Sequence, residues 1–179
     1  MNLMPSSLLD YKNCHFNFPM VSEQTGQATM HYDHTQSGPL YLLLLAFSIL
    51  ILVLAFMMGE IVLQTILYCS AALMLLFALS FHHLTVSDEG TELLIAFGPL
   101  PLFRRRLQYS ELEKVEPAKS TILDGIGIHI SPSGGWVWNI WGYECVDVWY
   151  RQGRKVRIGT DDSEGLEKFL EQKIQQNNG

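Results

Sequence analysis

The sequence predicts an α+β membrane protein: a two-helix transmembrane hairpin, then a seven-stranded antiparallel β barrel or sandwich capped by a C-terminal α-helix. Three observations carry this. Residues 40–81 hold a single charged side chain, Glu60. From Leu84 onward, apolar and polar residues alternate in short runs broken by Gly, Pro, Asp and Ser. Near the C-terminus, Leu166, Phe169, Leu170 and Ile174 recur at offsets of three, four and eight. Alternation marks half-buried strands, and the longer repeat marks a helix with one apolar face. The chain has 179 residues, 48% hydrophobic and 17% charged, with a formal charge of −6. That length suits one ordinary domain, and the crowding of charge outside residues 40–81 speaks against a wholly soluble protein. An acidic balance gives no footing for nucleic acid, whose phosphates require surplus Lys and Arg. Cys14, Cys69 and Cys145 are too scattered for a zinc knuckle, a redox pair or a disulfide framework, which fits a reducing compartment.

Residues 1–38 are polar and aperiodic, and Lys12 is their one Lys or Arg. They read as a flexible tail, because nothing in them builds a core. The start lacks the charged-then-apolar order of a secretory signal, and Met20 and Met30 leave the initiation point open. The HYDHT stretch sets His31, Asp33 and His34 at metal-ligand spacing. A solvated tail is favoured over a metal site, which would have to order its own chain on binding.

Residues 40–58 and 61–81 are uncharged runs of 19 and 21 residues, each close to the ~20 needed to cross the hydrocarbon core as a helix. Leu, Ile, Phe and Val number 13 in the first run, and together they favour insertion by roughly 4–8 kcal/mol. Ser37-Gly38-Pro39 makes a helix entrance with proline where its missing N–H costs nothing, and Gly59-Glu60 makes the reversal. Spans without charge contain neither an ion path nor a proton relay. Gln64 lies near the turn, and Ala55 and Gly59 have the spacing of a small-residue contact between helices.

The alternating region offers seven strands near residues 84–87, 92–97, 103–109, 112–119, 127–131, 145–151 and 155–158, with the WVWNIW run adding or replacing one. A helix over about 162–176 follows, with Asp161 and Glu164 placed for a capping box. The segment LTVSDEGTELLIAFGPLPLFRRRLQYSELEKVEPA, a tryptophan-rich stretch, CVDVWY, the turn QGRKVRIGT and DDSEGLEKFLEQKI follow one another. In this order they resemble the bacterial pleckstrin-homology-like (PH-like) domains found downstream of paired membrane helices. The resemblance spans roughly residues 41–174, and the G-R-K-V-R-I-G-T-D-D junction and F-G-x-L-P are its distinctive pieces. It implies a curved seven-stranded barrel capped by a C-terminal helix, and it implies no catalytic residues.

Arg104, Arg105 and Arg106 are the densest basic cluster, and such a cluster beside a bilayer attracts anionic lipid headgroups. Alternation divides it: Arg104 and Arg106 point one way, while Arg105 shares a face with Phe103 and Leu107. A solvated strand partly paired with Glu111, Glu113 and Glu116 is therefore favoured. Trp136, Trp138, Trp141 and Trp149 fall within fourteen residues and carry three open readings: barrel packing, a membrane-surface belt, or a partner-binding groove. Gly134, Gly135 and Gly142 around the first three suggest a projecting hairpin or loop with partly exposed indoles. His82, His83 and His129 lack a carboxylate at a regular spacing to complete a metal or acid–base set. Gly125 and Gly127 lack the third glycine of a nucleotide loop.

The expected function is that of a membrane-anchored, non-catalytic interaction module, binding a protein partner or lipid headgroups at the cytoplasmic membrane face. No cofactor, metal or nucleic acid is expected; the partners are the lipid bilayer and a protein or a second copy of the chain. Two spans put both termini on one side, and free thiols together with the resemblance favour the cytoplasm. The alternatives are a membrane-associated enzyme, whose site would be assembled from dispersed residues, and an accessory or structural subunit of a membrane complex.

Overall fold

The computed structural model describes residues 31–100, 102–121, 125–132 and 134–178; the expectations for residues 1–30 lie outside the described residues. In chain order the elements are β1 (Asp33–Ser37), α1 (Leu40–Met57), α2 (Ile61–Ser80), β2 (His83–Asp88), β3 (Glu92–Phe97) and β4 (Phe103–Gln108). A 3-10 turn (Tyr109–Glu111) leads to β5 (Leu112–Lys119), β6 (Gly127–Ile130), β7 (Trp136–Asn139), β8 (Glu144–Tyr150), β9 (Lys155–Gly159) and α3 (Ser163–Asn178). Both α1 and α2 are long and apolar enough to cross a membrane. Most of their large side chains, Phe56, Ile61 and Val62 among them, are exposed. The two helices meet through small residues: Ser48, Ala55, Ala71 and Ala78 are buried, and the Ser48 hydroxyl donates to the Ala71 carbonyl at 2.9 Å. Of the expected Ala55–Gly59 pair, Ala55 is buried, whereas a Cβ on Gly59 would meet nothing within 4 Å, so Gly59 is not needed for close helix approach.

The strands form two sheets, β1-β2-β3-β4 and β5-β8-β9-β7-β6. Four differences from the expected barrel follow. First, residues 33–37 are a strand, not tail. β1 pairs antiparallel with β2, from Asp33 opposite Ser87 to Ser37 opposite His83, so the helical hairpin is inserted between two neighbouring strands. The polar DHTQS sequence gives no hydrophobic alternation, and it is held by polar contacts instead. Buried Gln36 donates to the Gly159 carbonyl at 2.7 Å, and the Thr35 and Thr85 hydroxyls meet at 2.8 Å. Second, nine strands are described rather than seven: β1 is one addition, and the WVWNIW run adds the other, residues 136–139 pairing with β6 and β9. Third, the β7–β9 pairing is parallel. Fourth, the barrel is not closed: β4 ends one sheet and β6 ends the other.

Between the sheets lies one core that includes Leu84, Ile95, Phe97, Leu107, Val146, Ile158 and the apolar face of α3. α3 begins when the Asp162 carboxylate accepts from the Gly165 N–H at 3.1 Å, an N-cap one residue later than expected. Asp161 is drawn away to His34 at 2.5 Å. Leu166, Phe169, Leu170 and Ile174 are buried, and Tyr32 stacks on Phe169 at 5.4 Å between ring centres. The Tyr32 hydroxyl donates to Asp162, so the segment before the helical hairpin reaches the cap of the last helix. Burial, with the neighbouring Asp162 charge, pushes the Tyr32 phenol well above its usual range.

The helices leave from one end of the domain. Gly98 has φ +61°, and a Cβ there would run into the Ser80 and Leu79 carbonyl oxygens, so glycine lets the β3–β4 turn sit against the end of α2. Phe81 packs on Phe97 and Phe103 at 5.2 and 5.6 Å. A Cβ on Gly38 would lie 2.8 Å from that of Trp141. These contacts define the root end. The β6–β7 and β8–β9 turns lie at the far end, about 13 Å away along strands rising roughly 3.3 Å per residue.

Candidate functional site

The three arginines divide as strand geometry requires. Across the β3–β4 ladder, Arg104, Arg105 and Arg106 stand opposite Ala96, Ile95 and Leu94. Arg104 and Arg106 are exposed, while Arg105 is half-buried beside the inward-facing Leu107. Arg106 pairs with Glu89 at 3.2 Å and Glu92 at 3.1 Å, which replaces the expected Glu111, Glu113 and Glu116. The reason is cross-strand placement: the β2–β3 turn brings those acids beside β4, whereas Glu116 pairs with Lys114.

The tryptophans are distributed over three surroundings. Trp138 is a core residue, 7% exposed, with its ring centre 5.9 Å from that of Phe97. Trp136 and Trp141 are 44% and 49% exposed, at the far and root ends respectively. Trp149 is half-buried, with the Lys155 ammonium 5.3 Å above its ring. The expected projecting loop is corrected: β7 lies between β6 and β9, and Val137, Trp138 and Asn139 are all buried, so both faces are covered.

Two clefts result. The far-end cleft, about 300 Å³, is lined by Arg105, Trp136, Trp149, Arg154 and Lys155 over the glycines of the two turns. Neither turn read as a site in the sequence. Arg154 donates to the Gln152 side-chain oxygen at 2.9 Å and lies over the Tyr150 ring. Lys155 pairs with Asp147 at 3.0 Å, and Arg157 pairs with Asp147 at 2.6 and 2.9 Å. This cluster lies on the sheet face away from the core, because β8 sets Asp147 beside Arg157 and Trp149 beside Lys155. Burial alone would raise the Asp147 pKa, but hydrogen bonds from Arg157 and Lys155 outweigh it and hold the carboxyl below its usual range. The root-end cleft, about 350 Å³, is lined by Thr121, Gly125, Ile126, Trp141, Gly142 and Tyr143. Ile126, Trp141 and Tyr143 are exposed there, as is Leu102 in the β3–β4 turn.

His31 and His34 do not converge. His31 lies 3.7 Å from Asp88, and His34 binds Asp161. No group of three or more His, Cys, Asp or Glu side chains placed to hold a metal occurs among the described residues. Asp88 belongs to a structural knot: it takes a hydrogen bond from Tyr109 at 2.8 Å and pairs with Lys173 at 3.0 Å. Burial opposes its charge, yet Lys173, Tyr109 and the Gly90 N–H together lower its pKa. His82 and His83 meet at 3.1 Å between Nδ1 atoms. Burial, then the neighbouring His82, lowers the pKa of His83. Cys145 is buried and Cys69 exposed. No protein-family model matches this sequence, and no curated protein matches it.

Proposed function

We propose that this protein is a membrane-anchored, non-catalytic interaction module of PH-like architecture at the cytoplasmic face of the membrane. The observation that carries the reading is the insertion of two exposed apolar helices between the hydrogen-bonded strands β1 and β2. Ser37 and His83 are ladder partners, so a bilayer crossed by the hairpin holds the domain at its surface with almost no slack. The exposed Leu102, Ile126, Trp141 and Tyr143 at the root end support the same reading, since aromatic and apolar side chains at headgroup level gain from the interface. Without the β6–β7 hairpin, seven antiparallel strands remain, as meanders of four and three followed by a helix. That is the count the resemblance implies, and the membrane hairpin is then an insertion after the first strand, not a segment upstream of the domain.

A protein partner is favoured over lipid headgroups. Arg105 faces inward and Arg106 is engaged by Glu89 and Glu92, so the cluster offers the bilayer no common face. The test is extraction and labelling of the full chain in native membranes. Alkaline carbonate should leave it in the membrane fraction, and an impermeant thiol reagent applied to intact cells should leave an exposed Glu113→Cys unmodified. Release by carbonate would overturn the anchoring, and labelling would overturn the cytoplasmic orientation.

A further inference from the structure

We infer that the far-end cleft, together with the free edge of β4, binds an acidic, extended segment of a partner protein. Three observations converge on it. The cleft lining contains Arg105, Arg154 and Lys155 and no carboxylate. Among the described residues, Arg105 and Arg154 have no ion-pair partner, and the Arg154 contacts, Gln152 and Tyr150, are both neutral. Charge complementarity therefore selects an anion, and charge-assisted bonds to guanidinium are the strong class of such contacts.

β4 is the last strand of its sheet, so one side of its backbone offers N–H and C=O groups that an added strand can pair. Like charges placed opposite one another destabilise a strand pair, so Arg104-Arg105-Arg106 on that edge discourages pairing with a second copy of β4. An added strand with carboxylates meets the opposite situation. Its alternate side chains face Arg104 on one side and Arg105 with the Trp136 indole on the other, Arg106 being already paired with Glu89 and Glu92. Trp136, 44% exposed at the mouth, gives an apolar side chain of the partner a wall to cover.

Position favours this occupant over the bilayer on one side of the cleft: Trp136 and Arg154 sit at turns away from the helix roots, whereas Arg105 is two residues from Phe103, which packs on Phe81. This facing rests on the anchored-module reading; the binding itself does not.

The experiment uses the full chain in neutral detergent and a fluorescein-labelled peptide alternating glutamate and valine, read by anisotropy. Binding is expected. Arg105→Gln and Arg154→Gln should each weaken it about tenfold, while Arg151→Gln, outside the cleft, should not. A peptide with lysine in place of glutamate should not bind. Retained affinity in both cleft variants, or equal binding of the lysine peptide, would overturn the proposal. So would inorganic phosphate or phosphatidylserine vesicles displacing the peptide as effectively as unlabelled peptide does. If Arg105→Gln fails to fold, Arg154→Gln at the exposed turn decides the question. Failure of binding leaves carbonate resistance untouched, so it does not bear on the anchoring.

Discussion

Two carboxylates, buried Asp147 and half-buried Asp88, are each stabilised by cations from another part of the chain. Both have pKa values lowered from the ordinary 3.8. A depressed folded-state value contributes stability that is fully present above the unfolded value and is lost as pH falls through the folded one. Stability measured by urea denaturation in detergent should therefore be flat above about pH 5 and decline below about pH 4, with Asp147→Asn and Asp88→Asn each flattening that decline. Removing one partner of a buried pair is costly, so Asp147→Ala should destabilise by about 3–5 kcal/mol in the same assay. The sequence disclosed the split among Arg104, Arg105 and Arg106, because alternation is local. It did not disclose Asp147 with Lys155 and Arg157, which requires knowing that β8 and β9 pair with those residues opposite. Nor did it disclose the cleft, which needs Arg105 and Arg154 brought together across both sheets.

Among the elements, α3 was the most legible, because four apolar residues at helical spacing leave one face to bury. Phe169→Ala and Leu170→Ala should cost about 3–5 and 2–5 kcal/mol respectively, and the exposed Lys168→Ala within about 0.5 kcal/mol, by urea denaturation. β1 was illegible. Its side chains are polar, and its only deep anchor, Gln36, is buried for the sake of one carbonyl on β9. The WVWNIW run is hard to read for a related reason: flanking glycines signal a loop, but β7 pairs with β6 and β9 along its two edges, and Val137 and Trp138 are buried on its opposite faces. The Ser37–His83 partnership makes a sharp prediction about the hairpin. Replacing residues 38–82 by Asn-Gly supplies the two-residue turn that antiparallel neighbours accept. The product should be a folded, detergent-free domain by circular dichroism and gel filtration. Removing residues 31–37 from that product should lower its melting temperature, and an unchanged value would deny β1 its place in the sheet.

The whole molecule has two chemically distinct ends, an apolar aromatic one beside the helix roots and a cationic one away from them. Seating of the first on the bilayer predicts that, in reconstituted vesicles, lipids brominated near the headgroup quench Trp141 more than Trp136. The assignment comes from comparing Trp141→Phe with Trp136→Phe. Equal quenching would lift the domain off the surface. Uncharged length exposed the two apolar helices and alternation most strands, because each signal is local, whereas the free edges at β4 and β6 are properties of sheet order alone. The strand that precedes the hairpin also imposes an order on biosynthesis. β1 leaves the ribosome before either apolar helix and has no partner until β2 follows, so, if the two helices span the membrane as proposed, the sheet is completed only when both have crossed and the chain has returned. A chain that crosses once strands β1 and β2 on opposite sides of the membrane and leaves β2 as a bare edge open to proteases. In the anchored arrangement proposed, folding of the domain would thus proofread the topology of its own anchor.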